Sequence, residues 1–216
     1  MTVALSLEAP SSVIDTGKVT DVDPSLGGLT GRNRLPDAVV SFKLERDWGH
    51  VRAAGILRQV GFHNPNSADG EPAGQKPGYG LNVSGTWKLF GKDQLNWQAV
   101  GGYAIASYMN DGGIDLAPNA SHQAETVRSL GWLLYYNHAW SDKWTSTLGY
   151  SEHRQDNTEG QLGSAFRRGS YGSVNALYAL TRNVTSGLEY VWGKNESKDG
   201  SSATDYRLQW STRVAF

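Results

Sequence analysis

The chain has 216 residues with no cysteine, 26 glycines, 8 tryptophans, 10 tyrosines, a net charge of −1 and only 38% apolar residues. The absent thiols exclude a disulfide scaffold and a thiolate metal site, and the near-neutral charge speaks against nucleic-acid binding. Abundant aromatics argue against disorder, and no apolar run approaches the ~18 to 20 residues of a helical membrane span. Met1 is not followed by the basic region and apolar core of a secretory signal.

Alternation with a period of two predicts strands almost throughout, in ten segments. They fall at 2–9, 37–46, 50–62, 79–90, 94–107, 128–140, 144–155, 168–180, 184–194 and 204–216. In the fourth, Tyr79, Leu81, Val83, Gly85, Trp87 and Leu89 oppose Gly80, Asn82, Ser84, Thr86 and Lys88. In the last, Tyr206, Leu208, Trp210, Thr212, Val214 and Phe216 oppose Arg207, Gln209, Ser211, Arg213 and Ala215. Several segments exceed the ~5 or 6 residues of an ordinary globular strand and suit the ~9 to 11 of a tilted membrane-crossing one.

The connections alternate in length. Asp47–Gly49, Gly91–Asp93, Ser141–Lys143 and Thr181–Asn183 read as tight turns. Between them lie long links at 10–36, 63–78, 108–127, 156–167 and 195–203, rich in Gly, Asn, Asp, Pro and Ser. Short turns at one end and long loops at the other are how an outer-membrane barrel is built. Link 10–36, with Pro24 and Gly27-Gly28, reads as a surface loop, with folding into the lumen as the alternative.

One face of most segments carries Leu, Val, Ala, Gly, Tyr and Trp, and the other Asn, Gln, Ser, Thr and charged residues. Trp87, Trp97, Trp140, Trp144 and Phe216 fall near the short turns; Tyr79, Tyr103, Trp132, Tyr150, Trp192 and Tyr206 fall toward the long loops. Two aromatic girdles flanking an apolar band are what a lipid-facing surface requires. Hydrocarbon offers no partner to backbone N–H and C=O groups, so such a sheet must close. The predicted fold is therefore all-β: a transmembrane antiparallel up-and-down β-barrel of about ten strands. It forms one domain over 1–216, integral to a bacterial outer membrane, with both termini on the short-turn, periplasmic side.

The stretch from Leu35 to Val60 carries a family likeness. Its Pro36-Asp37 opening, the turn Asp47-Trp48-Gly49-His50 and the run Ala54-Gly55-Ile56-Leu57-Arg58 resemble the central hairpin of the DcaP-like outer-membrane porins. Gly78–Asn82 and the Gly91–Asp93 turn are similar too. The resemblance implies a homotrimeric, sixteen-stranded diffusion porin that prefers anionic solutes such as dicarboxylates, with a water-filled lumen at that strand number. Porins of this family are about twice as long, so the likeness covers their C-terminal ten strands. A small closed barrel of ten strands, and a fragment or a subunit completed by other chains, are equal alternatives.

With polar faces inward, the lumen would carry Lys43, Arg52, Arg58, Lys88, Arg207 and Arg213 against Glu8, Glu45 and Glu189. Guanidinium groups can hold carboxylates bidentately, and Arg58 and Arg207 are the preferred candidates for anion contact. The bland alternative is that these charges pair with one another and keep the wall wet. Arg167 and Arg168, at a loop–strand junction, are candidates for steering anions, for binding lipopolysaccharide phosphates, or for a solvated flank. Enzymatic readings are weak: five scattered histidines show no metal-ligand spacing, and no cofactor or metal is expected. An outer-membrane hydrolase would have only His153, Glu152 and Asp156 near its rim, and adjacent strand residues face opposite ways. A structural barrel without transport is a third reading.

Overall fold

The computed structural model describes residues 1–18, 28–70, 72–109 and 112–216. Pro24 and Gly27 lie outside them. In chain order the strands are β1 (Thr2–Glu8), β2 (Thr30–Gly31), β3 (Asp37–Arg46), β4 (Gly49–His63), β5 (Gly74–Lys88), β6 (Gln94–Tyr103), β7 (Leu116–Pro118), β8 (Ala124–Thr126), β9 (Arg128–Ala139), β10 (Trp144–Asp156), β11 (Phe166–Ala179), β12 (Val184–Ser197) and β13 (Ser202–Val214). Ten long strands form one antiparallel meander in the order β1-β3-β4-β5-β6-β9-β10-β11-β12-β13, as the alternation predicts. The short β2 pairs with β4, and β7 with β8.

The sheet does not close. Within the described residues β1 pairs only with β3, and β13 only with β12, so a ten-stranded closed barrel is not formed.

Two boundaries depart from the sequence reading for identifiable reasons. Strand β5 starts at Gly74, inside the link expected at 63–78, and continues pairing with β4 as far as Phe62↔Gly74. Its other neighbour, β6, stops at Tyr79↔Tyr103, so Pro77 lies on a margin where its missing N–H breaks no ladder. Strand β6 ends at Tyr103, short of the expected 107, because Ala104 takes φ 53° and turns the chain into a 3-10 turn at Ala106–Tyr108.

The tight turns hold where expected. Gly49, at φ 133°, closes β3–β4, and a Cβ there would lie 1.9 Å from the Thr86 carbonyl oxygen. At the β5–β6 turn, Asp93 Oδ1 accepts from the Ala139 N–H (3.0 Å), while its Oδ2 accepts from the Tyr136 hydroxyl and lies 2.8 Å from His138 Nδ1. The Tyr136 bond first, then His138 and Ala139, hold the Asp93 carboxyl well below its usual range, at about 2. A depressed carboxylate stabilises the fold fully above its unfolded value of ~3.9, and that contribution is lost as pH falls toward 2. A carboxyl-carbon NMR titration should place the Asp93 midpoint near 2; a midpoint near 3.9 would remove this turn lock.

The two faces invert the pattern of a soluble protein. Val3, Leu5, Leu7, Phe42, Leu57, Leu81, Trp132, Leu148, Leu188, Leu208 and Trp210 are all exposed on one face. Buried positions on or over the other include Asp37, Arg58, Asp115, Ser129, Gln155, Gln161 and Ser173. Among the described residues Val60, Ala104 and Leu116 form a small buried apolar cluster, with Ile14 and Phe62 beside it. The girdle aromatics also meet across strands: Trp87 with Trp97 at 5.3 Å, Trp132 with Tyr150 at 5.4 Å, and Tyr150 with Trp192 at 6.2 Å between ring centroids.

Candidate functional site

Residues directly opposite in an antiparallel pair share a face, so the registers decide which side chains look the same way. Followed strand by strand, they put Lys43, Arg52, Arg58, Lys88, Arg207 and Arg213 on the polar face, with Glu8, Glu45 and Glu189. Lys43 and Arg52 are directly opposite, a like-charge pair. Lys43 is relieved by Glu45 at 2.9 Å, and Arg52 donates to Ser41 Oγ at 3.1 Å. Lys88, Arg207 and Arg213 are exposed, and Glu189 accepts from Gln209 at 2.9 Å.

Arg58 corrects the expectation. Its side chain has no exposed surface and lies 3.2 Å from Asp37 and 3.6 Å from Asp115, both equally enclosed. The guanidinium also donates to the Ala104 carbonyl (3.0 Å), to Ser107 Oγ (2.6 Å) and to the Ser11 carbonyl. Its carbon stands 5.1 Å from the centre of the Tyr108 ring, in cation–π range. A cation so enclosed offers no accessible donor to a passing solute; Arg58 is an anchor for loops.

What it anchors is a layer over the polar face. Tyr108 donates its hydroxyl to Asp37 at 2.9 Å, and burial first, then this bond, pushes that hydroxyl's pKa upward. Asp115 accepts from the Val13 N–H (2.9 Å) and the Ser107 N–H (3.3 Å). Farther along, the Ile114 N–H donates to Gln155 Oε1 at 3.0 Å on β10. Met109 passes over β9 so closely that a Cβ on Gly131 would stand 2.6 Å from its methyl. The described stretches Ala104–Met109 and Gly112–Leu116 thus lie over the polar side between β4 and β10.

The other long loops lock onto it. Ile14 bridges Leu116 in parallel, Gln161 donates to Asp15 at 2.8 Å, and Thr158 donates to the Pro118 carbonyl at 2.6 Å. Lys198 Nζ donates to three carbonyls, of Thr158, Gln161 and Glu159, at 2.7, 2.9 and 3.1 Å. Link 10–36 was expected at the surface; its stretch from Ser11 to Gly17 belongs instead to this layer. Asp37, Tyr108 and Asp115 were missed in the sequence because acids in Gly- and Asn-rich links look solvated, and only Arg58, charged within an apolar run, hinted at partners.

The candidate hydrolytic group disperses. His153 faces inward against Phe166 at 5.2 Å between rings, while Glu152 pairs outward with Arg168 and Asp156 with Arg128.

An antiparallel meander with apolar side chains outward, polar ones inward and loops folded over the polar side has the fold of an outer-membrane channel wall. No family model and no curated protein matches the chain. The crystal structure of the outer membrane channel DcaP of Acinetobacter baumannii aligns with 99% of this chain at TM-score 0.79 and 18% identity. This bears out, at the level of fold, the resemblance read from the sequence. The chain spans 58% of the length of that channel. The NanC porin structure in a rhombohedral crystal form aligns with 88% of this chain and 98% of its own at TM-score 0.44 and 11% identity, too loosely to carry an argument.

Proposed function

We propose that the chain builds the wall of an outer-membrane porin through which small solutes diffuse down their gradients, with anions such as dicarboxylates favoured and no covalent step. One observation carries the reading. The registers gather Lys43, Arg52, Lys88, Arg207 and Arg213 on the face that the loop layer covers, while the opposite face is an apolar band girdled by aromatics with charge confined to its loop-end rim. Arg52, Arg207, Arg213, Lys43 and Lys88 are the wall residues assigned to anion contact, with Lys43 partly offset by Glu45. Carbonyl and carboxylate solutes gain bidentate hydrogen bonds from such guanidinium groups. In this reading the protein is integral to the outer membrane among lipid and lipopolysaccharide, with long loops outside and both termini periplasmic. It assembles as a homotrimer and uses no cofactor.

Single-channel recording in a planar bilayer tests this. Stable conductance steps with an anion-selective reversal potential are expected. Absence of steps from correctly inserted protein would retire the channel reading.

A further inference from the structure

The apolar, outward face carries one cluster of charge that a lipid-facing surface does not need. Arg128, Glu152, Arg154, Asp156, Arg168, Lys194 and Glu196 all point outward from β9 to β12, by the same registers that turn the neighbouring Trp132, Tyr150 and Trp192 outward. Arg128 is paired with Asp156 at 3.2 Å, Arg168 with Glu152 at 2.5 Å, and Glu196 with Arg167 at 3.8 Å. Arg154 and Lys194 make no ion pair among the described residues, and both are exposed.

Arg154 is moreover directly opposite Arg168. Opposed residues have Cβ atoms only about 4.5–5.5 Å apart, and like charges there are destabilising unless an anion lies between them. Along their own strands the charged residues stand two to six positions beyond the Trp132–Tyr150–Trp192 girdle, at about 3.3 Å per residue the depth at which a membrane's polar headgroups begin.

A furrow runs from this cluster toward the apolar band. Its floor is Ala99 and Gly101 of β6, between Leu81 and Val83 of β5 on one side and Leu130 and Trp132 of β9 on the other, with Arg128, Arg154 and the carboxylate of Glu152 at its head. Glu152 is taken up by Arg168, so the trough ends in a net excess of cations, which matches an acyl chain that ends in a phosphorylated headgroup.

We infer that this surface holds a phosphate-bearing saccharolipid of the outer leaflet. Its phosphates lie among Arg128, Arg154, Arg168 and Lys194, and one acyl chain lies over Ala99 and Gly101. Arginine suits the task because its planar fork meets two phosphate oxygens at once. The inference rests on the outer-membrane reading with long loops outward.

The test is titration of the full chain, folded in detergent, with deep-rough lipopolysaccharide, followed by native mass spectrometry. Saturable binding is expected, weakened at least tenfold in Arg154→Gln/Lys194→Gln and largely kept in Arg154→Lys. Arg182→Gln, in a tight turn at the other end, should bind like wild type. Dephosphorylated saccharolipid should bind no better to wild type than intact lipopolysaccharide binds to the double variant. Unchanged affinity in the double variant, or equal binding of phosphatidylglycerol, would overturn the assignment. If the double variant does not fold, Arg154→Gln alone decides, on at least a threefold loss. Conductance measured in lipopolysaccharide-free bilayers reports separately on the channel reading, so either result can fail alone.

Discussion

Replacing Arg58 by Met should free Ala104–Met109 and Gly112–Leu116 from the sheet and make these stretches the first sites of proteolytic cleavage. The substitution leaves Asp37 and Asp115 enclosed without their cation, removes the guanidinium bond to the Ala104 carbonyl, and leaves the Ser11 carbonyl with the Ser107 hydroxyl alone. Stranding one side of a buried ion pair costs about 3–5 kcal/mol. The neighbourhood can lower that cost by letting water reach the carboxylates, which means lifting the loop layer. The strands themselves should persist, because their ladders do not pass through Arg58's side chain. In the porin reading the same release widens the passage, so single-channel conductance should rise while the far-ultraviolet signature of strands is unchanged. The triple variant Arg58→Met/Asp37→Asn/Asp115→Asn removes all three charges and should recover part of the loop protection. Protease resistance equal to wild type in Arg58→Met would show that the layer is held by something else.

The second large effect expected is on selectivity. Arg52, Arg207 and Arg213 share the polar face with Lys88, and none of the four makes an ion pair among the described residues. Changing Arg52, Arg207 and Arg213 to Glu reverses six units of charge on one wall, which exceeds anything the remaining Lys43 and Lys88 can offset. The reversal potential under a tenfold salt gradient should move from the anion side to the cation side. Each side is bounded by about 59 mV per tenfold gradient for a single charge, so the full excursion is bounded by about twice that. High salt should shrink the difference, because the Debye length falls from ~10 Å at 0.1 M to ~3 Å at 1 M. An unaltered reversal potential would mean that these arginines do not face the conducting path. Arg58 gives the internal contrast: its loss should change conductance far more than selectivity, since its charge is already spent on two carboxylates.

The strand ladder was legible because a lipid-facing sheet imposes the strictest alternation a sequence can carry. Leu, Val, Gly and Trp at every second position, with loops sorted by length, leave one topology, and the ten long strands follow it. The loop layer was not legible, because nothing periodic marks it. Ala104 has no sequence feature that announces φ 53°, yet that one residue turns the chain inward. Asp37, Tyr108 and Asp115 are ordinary loop and strand-end residues until Arg58 meets them in space. The charge on the wall was therefore read correctly as to face, and incorrectly as to which arginine was free. Pro77 shows the same limit from the other side: a proline reads as a strand breaker until the neighbouring strand is known to have stopped.

The loop layer also sets an order on assembly. Each hairpin of the sheet joins neighbours in the chain, whereas the layer joins residues far apart along it. Val13 meets Asp115 across 102 positions, and Gln161 meets Asp15 across 146. Closing such distances costs entropy that local contacts do not. The early strands must therefore wait for late ones before their polar side is covered, and Arg58 stays hydrated until Ser11, Asp37 and Asp115 have all arrived. In the porin reading the wall then forms first with its polar side bare and the narrowing comes last, which makes a partly assembled sheet the leakiest form.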